Sequence, residues 1–363
     1  MLKLRFVLPS LAVGMLAFAG CRSSAPKPAE HHAVETDAGR IYVTNEVSGD
    51  LTVIDAGSYD NLATVPLGKR PRGIHPSPDH KYLYVALSGT PIAGPGVDES
   101  TLPPPDRSAD GIGIFDVQAN KLIKTIPAGV DPENFDVSPD GKYIYVSNED
   151  TSEVSTIDIS AGKVVQSFPV GAEPEGVKIT PDGKQVYVTS EEAGKLYILD
   201  LAAKKIVATI NVGHRPRNIA FTPDGKTAYV NAENDGTVVI VDTAKRKMKG
   251  TIPLGTPGQI KPMFVLLSPD ASKLYVSTGR GQKVFTVDTA TNKILGSVVV
   301  GKRPWGIALS HDGRTLYTAN GPSNDVSVVD LATDTVTHRV KAGGGPWGIV
   351  VLDAPTDHFS HID

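Results

Sequence analysis

The loop Gly-Lys-Arg-Pro at 301–304 occurs again as Gly-Lys-Arg-Pro at 68–71 and as Gly-His-Arg-Pro at 213–216. A loop that recurs points to a structural unit that recurs, and the period of that unit limits the folds open to the chain. Aspartates that close short Val/Ile-rich segments stand at Asp55, Asp116, Asp158, Asp200, Asp242, Asp288 and Asp330. The loop prolines stand at Pro71, Pro132, Pro174, Pro216, Pro262, Pro304 and Pro346. Both series advance by 42 residues, apart from one step of 61 and one of 46. Each unit reads as four short β-branched or aromatic segments, for example 175–180, 184–190, 195–200 and 205–210. A Ser/Thr-Pro-Asp-Gly-Lys turn separates the first two, with proline presetting φ and Asp-Gly suiting a tight reversal. Four antiparallel strands per unit of roughly 40–45 residues is the period of a β-propeller blade. No window sustains a 3.6-residue spacing, which excludes a helical solenoid.

The repeat enters at Gly39 on the second segment of a unit and leaves after a first segment, Pro-Trp-Gly-Ile-Val-Val-Leu. The expected fold is therefore an all-β, seven-bladed β-propeller over residues 39–352, with four antiparallel strands per blade. Its last blade joins three N-terminal strands, within 40–66, to one C-terminal strand, 347–352, so that no sheet edge is left open between the ends.

Outside the repeat, residues 1–20 carry Lys3 and Arg5 and then an apolar run, the pattern of an export signal. Phe18-Ala19-Gly20-Cys21 resembles a bacterial lipobox, and Cys21, the one cysteine of the chain, is the expected lipidation site. Plain cleavage into the periplasm is the alternative. The expected location is the periplasm, on the membrane (the outer one) through lipidated Cys21. Residues 21–38, rich in Pro, Ala and charge, read as a flexible tether on which His31 and His32 are solvated. Residues 353–363 read as a tail, its His358 and His361 again solvated. Once Lys3 and Arg5 leave with the signal the net charge is about −6, which argues against binding nucleic acid through bulk charge.

The segments Ile-Tyr-Val-Thr-Asn, Ile-Tyr-Val-Ser-Asn and Val-Tyr-Val-Thr-Ser, followed by Val-Ser-Thr-Ile-Asp and Val-Ser-Val-Val-Asp, resemble the YVTN-repeat β-propellers. The stretches at 131–135, 172–177, 215–226 and 320–330 are similar to the propeller proteins associated with pyrroloquinoline-quinone (PQQ)-dependent alcohol catabolism. That resemblance implies a periplasmic accessory to quinoprotein alcohol oxidation with no reaction of its own. The Pro-rich insertion at 88–110 departs from it.

In a propeller the loop entering each first strand and the loop between second and third strands open on one face. The residues flanking the loop prolines are therefore the expected rim: Arg70 and Arg72, Asp131 and Glu133, Glu173 and Glu175, Arg215 and Arg217, Lys261 and Met263, Arg303 and Trp305, Gly345 and Trp347. The second-to-third loops add Glu46, Glu149, Glu191 and Glu233. Alternating sign around a narrow mouth suits a small polar ligand or an envelope protein as partner; the same charges could instead be solvated loop residues. Trp305 and Trp347, the two tryptophans of the chain, share a repeat position in adjacent blades and read either as a stacking platform or as packing between blades. The insertion is expected to fold over the same rim.

The chain has no Cys-x-x-Cys-His, nucleophile elbow, P-loop or His-Glu-x-x-His motif. His75, His80, His214, His311 and His338 occupy unlike repeat positions and predict no copper or zinc site. No cofactor is expected; the one candidate is Ca²⁺ on Asp131, Glu133, Glu173 and Glu175. The leading expectation is a non-catalytic binding or scaffold module of the cell envelope. A metal-assisted hydrolase of the lactonase kind is the alternative. Single-stranded DNA binding through Arg72, Arg217, Trp305 and Trp347 comes third.

Overall fold

The structure, a computed structural model, describes residues 39–93 and 97–353. The signal, Cys21 and the tether fall before them, and the tail beyond Asp353 after them, outside the described residues. Twenty-eight strands form seven four-stranded antiparallel sheets among the described residues. Blade 1 is the composite one: Pro346–Leu352 is its inner strand, followed outward by Arg40–Asn45, Asp50–Asp55 and Asn61–Pro66. The inner strands of blades 2 to 7 are Ile74–Pro76, Pro132–Val137, Pro174–Ile179, Pro216–Phe221, Pro262–Leu267 and Pro304–Leu309. Blade 4 shows how closely the pattern translates: its remaining strands, Gln185–Ser190, Lys195–Asp200 and Lys205–Asn211, lie within one residue of the expected segments.

Closure follows the expected seam. Arg40 pairs with Leu352, Tyr42 with Val350 and Val43 with Ile349. Seven apolar clusters fill the spaces between blades. A row of seven blades would have six such spaces; the seventh joins Ala308, Tyr317 and Val326 of blade 7 to Ile41, Val43 and Ile54 of blade 1. The second strand of each blade is buried on both faces, as in Arg40–Asn45 and Tyr143–Asn148, and so reads as a nearly continuous apolar run. The outermost strands, such as Lys163–Pro169, alternate exposed and covered positions because one face meets water.

The Ser-Pro-Asp-Gly turn works through its side chains. The Ser138 hydroxyl donates to Asp140 at 2.7 Å, the Gly141 N–H donates to the Ser138 carbonyl at 2.8 Å, and Gly141 takes φ +68°. Beneath the mouth, the inner strands of all seven blades line an apolar chamber of about 640 Å³ that opens on the opposite face.

Candidate functional site

Three local devices place the rim residues. First, the residue before the loop proline lies in the left-handed region: Arg70, Asp131, Glu173, Arg215 and Arg303 have φ between +41° and +54°, and Gly345 has +69°. A non-glycine residue there costs roughly 1 kcal/mol or more. Five charged side chains thus stand where glycine would be easier. Second, the pairing of the inner strand shifts register just after the proline, between Pro132 and Phe135, Pro174 and Val177, Pro216 and Ile219, and Pro304 and Ile307. Such bulges re-aim side chains, here those of Glu133, Glu175, Arg217 and Trp305. Third, the hydroxyl of the Tyr-Val-Thr/Ser motif reaches the next blade. Thr44 donates to the Arg72 carbonyl at 2.7 Å, Ser147 to that of Glu175 at 2.7 Å, Thr189 to that of Arg217 at 3.0 Å and Ser277 to that of Trp305 at 2.8 Å. The repeated motif is therefore also the anchor of the repeated rim.

The rim encloses a cavity of about 610 Å³. Glu46, Arg70, Arg72, Asp131, Glu133, Glu149, Glu173, Glu175, Arg215, Arg217, Arg303, Trp305 and Trp347 all line it. Glu191 and Glu233 lie just beneath, held by the arginines, and Met263 lines a small hollow below Trp305 and Trp347. The insertion folds over the rim as expected and supplies one wall of the cavity through Thr90, Pro91, Ile92, Leu102, Pro103 and Pro105. It is pinned where the Asp106 N–H meets the Gly89 carbonyl at 3.0 Å, where Lys69 meets Asp106 at 2.8 Å, and by Arg107 against Asp150.

The alternating signs read from the sequence are ion pairs. Arg72, 2% exposed, meets Asp131 at 2.7 Å, Glu133, and Glu149 at 3.5 Å; Ser88 also donates to Asp131. Arg217, 6% exposed, meets Glu175 and Glu191 at 2.9 Å each, and Glu233. Arg215 adds to Glu191, and Lys261 to Glu233 at 2.8 Å. The signal for this was present in the repeat, because Arg72 and Glu133, and Glu175 and Arg217, are equivalent positions of opposite sign in adjacent blades.

One guanidinium cannot neutralise three carboxylates. Burial, then crowding by Glu191 and Glu149, holds Glu175 well above the usual carboxylate range despite Arg217. Glu149 is raised by burial and by Asp131 and Glu191, and Glu173 by burial and by Glu191 and Glu149. Burial would raise Glu233 too, but Arg217, Lys261 and Arg215 outweigh it and pull it down to about 2. Glu175 therefore stabilises the fold fully below pH 4.5, its ordinary value, and that stability is lost as pH rises through its raised pKa; Glu233 contributes above 4.5 and is lost only toward pH 2. The melting temperature is expected to fall by on the order of 2–5 °C between pH 5 and 8, and Glu175→Gln to flatten that decline. Thermal melts across this range check it; a wild-type Tm that rises with pH would mean Arg217 keeps Glu175 ionised.

The tryptophans stack on one another, with ring centroids 5.5 Å apart and planes at 23°. Trp347 is buried and Trp305 half-buried. The Arg303 guanidinium lies 4.6 Å from the Trp305 centroid and that of Arg217 5.1 Å. The pair is thus both packing and cavity wall. Oxygens of Asp131, Glu133 and Glu175, proposed above for Ca²⁺, are taken by Arg72 and Arg217, while Glu173 is exposed. No group of three or more His, Cys, Asp or Glu among the described residues could hold a metal ion.

Residues 105–222 match the family described as YNCE-like beta-propeller, and residues 167–339 that described as Lactonase, 7-bladed beta-propeller. Antigen Lp49 of Leptospira interrogans is 28% identical over 30% of this chain and 30% of its own length. Hydrazine synthase subunit beta of Kuenenia stuttgartiensis is 26% identical over 34% of this chain and 33% of its own. The aligned part thus spans about a third of each curated relative. The solved Kuenenia stuttgartiensis hydrazine synthase superposes with a TM-score of 0.69 at 23% identity, covering 82% of this chain and 93% of that one, which shows a shared fold. The chain is a seven-bladed β-propeller, parts of which match the YNCE-like and the lactonase propeller models.

Proposed function

We propose that the protein is a non-catalytic binding module of the cell envelope, whose channel mouth takes a small polar ligand or presents itself to an envelope protein. One observation carries this: deep in the mouth the acids and bases are tied to one another in a buried network. Arg72 and Arg217 are each committed to three carboxylates, which fixes the deep charges of the mouth in place. Such a lattice holds a shaped, polar surface rather than a reacting pair. The export pattern and Cys21 support lipid anchoring in the periplasm, and the likeness of the 131–135 and 215–226 stretches to PQQ-associated propellers supports service beside quinoprotein alcohol oxidation. Arg72 and Arg217 offer no free cation to a phosphate backbone, which weakens the DNA-binding reading.

The lactonase match over residues 167–339 favours one second reading, lactone hydrolysis at the same mouth. Titrating the chain with a panel of small lactones, carboxylates and amino acids, with tryptophan fluorescence for binding and NMR for product, separates the two. Saturable binding with every ligand recovered unchanged is expected. Turnover of a lactone that stops on adding chelator would replace the binding module with the hydrolase.

A further inference from the structure

Six of the seven blades place one more residue at the mouth, directly after the second strand, in a constant backbone role. The N–H of Glu46, Glu149, Glu191, Glu233, Gly279 and Gly321 donates to the carbonyl just before the loop proline, at 2.9, 3.1, 2.9, 3.0, 2.7 and 3.3 Å respectively. Four blades thus carry a glutamate at this position and blades 6 and 7 carry glycine, while in blade 2 Ser88 stands there and donates instead to the Lys69 carbonyl at 3.2 Å.

That difference strips the acid from one sector. Where an arginine precedes the proline, it pairs with the glutamate of the preceding blade: Arg70 with Glu46 at 2.9 Å, and Arg215 with Glu191. Arg303 is the third such arginine, and the equivalent position in the blade before it is Gly279. A Cβ at 279 would stand 3.6 Å from the Arg303 Cγ, so the missing acid would have lain against this side chain. Gly321 clears the neighbouring position, 3.4 Å from the Trp305 ring. Among the described residues Arg303 makes no ion pair or side-chain hydrogen bond; its contact is the Trp305 face. Stacking fixes the guanidinium while leaving its N–H edge free, the arrangement that suits a carboxylate or phosphate. Burial, then Arg217 and Arg215, disfavour the Arg303 charge, and the fields of Glu233 and Glu46 offset this in part. The insertion's Ile92, 41% exposed, and Leu102 line the same cavity and offer apolar surface to whatever is attached to the anion.

We propose that Arg303, held on Trp305 in a sector cleared of acids by Gly279 and Gly321, is the subsite for the anionic group of a small amphipathic organic acid or phosphate ester. The proposal rests on the binding-module reading and names the class of ligand that the mouth takes.

The test uses the full chain and four probes of one shape, benzoate, phenyl phosphate, benzamide and benzylamine, followed by tryptophan fluorescence and calorimetry at low ionic strength. Benzoate or phenyl phosphate is expected to bind saturably, at least tenfold tighter than the neutral and cationic analogues; the tighter of the two identifies carboxylate or phosphate as the source. Arg303→Gln should weaken that probe at least tenfold, and Arg303→Lys less. Gly279→Glu leaves Arg303 in place, its new Cβ meeting the Cγ and Sδ of buried Met263 at 3.2 Å, which must give by a few tenths of an ångström. By restoring the acid of the other blades, it should reproduce the Arg303→Gln loss with an unchanged melting curve. Benzamide or benzylamine binding as tightly as the anions, or anion binding indifferent to both variants, overturns the subsite while leaving the mouth a binding site. If no probe binds and the wider ligand panel is silent as well, the subsite and the small-ligand reading of the mouth both fall.

Discussion

A chain ended at Gly345 is expected to lose its cooperative unfolding transition. The truncation removes Pro346–Leu352, the inner strand of blade 1, whose register runs from Leu352 against Arg40 to Pro346 against Asn45. Trp347, Ile349 and Leu352 are buried to within 6% exposure, and each such side chain is worth roughly 2–3 kcal/mol of burial. The loss does not end with them. Ile349 belongs to the cluster between blades 7 and 1 and Leu352 to that between blades 1 and 2, so two of the seven interblade spaces open. Arg40–Asn45 becomes an unpaired edge facing the channel, and Trp305 loses the ring stacked on it. The sum, on the order of 10 kcal/mol, is comparable to the whole stability of a typical domain. Circular dichroism melts, dye binding and gel filtration should show a non-cooperative, dye-binding, associating species. A circular permutant supplies the control. Gly39 lies against Leu352, its absent Cβ 2.5 Å from the Leu352 carbonyl oxygen, so a short glycine linker can join Asp353 to Gly39, with new ends at the exposed Ser160-Ala161 turn. The permutant keeps every strand and should melt within a few degrees of the parent. A truncated chain that still melts as the parent does would show that closure contributes little.

The ring was legible because it depends on properties that repeat. A 42-residue period, Asp-closed third strands and the split first blade are each written several times, so a turn slipped by one residue in one unit does not mislead. The face of the rim was legible for the same reason, since strand order fixes which loops open together. The repeat marks which rim residues are neighbours of opposite sign, but not how deeply they are buried. Arg72 and Glu175 read from the sequence as charges facing the opening, yet each is buried with a partner from the adjacent blade, Glu133 and Arg217. Whether neighbouring opposite charges face solvent or one another depends on inward tilt at the bulge, which spacing does not encode. The place of the insertion in a second-to-third loop predicts its position over the rim, but which of its residues line the cavity was not legible: Ile92 and Leu102 belong to no repeat, and the Arg70 bond to the Thr90 carbonyl at 2.9 Å and the Lys69–Asp106 pair help fold them inward. Gly279 and Gly321 could have been found, because an absence at a repeated position is as visible in an aligned repeat as a presence.

Arg217→Met is expected to lower Tm at pH 8 by on the order of 10 °C, the largest effect of any single substitution at the mouth. Methionine keeps much of the stem's volume against Trp305 but leaves Glu175, Glu191 and Glu233 without the cation they share. Removing one side of a buried ion pair typically costs about 3–5 kcal/mol, because the other side stays buried and charged. Here three carboxylates are left, with only Lys261 and Arg215 nearby to share among Glu233 and Glu191. The cost must therefore depend on pH in a fixed direction. Stranded carboxylates have folded pKa values above their unfolded ones, so the variant recovers as pH falls and they take up protons. The difference in Tm between parent and variant should shrink from pH 8 to pH 5, and Glu175→Gln with Glu191→Gln in the Arg217→Met background should restore most of it at pH 8. If Arg217→Met melts within about 2 °C of the parent at pH 8, or if the gap widens in acid, the buried network is not what holds the mouth in shape. Its charges would then be free to meet a ligand directly, and the matched-pair reading of this site would give way to a reactive one.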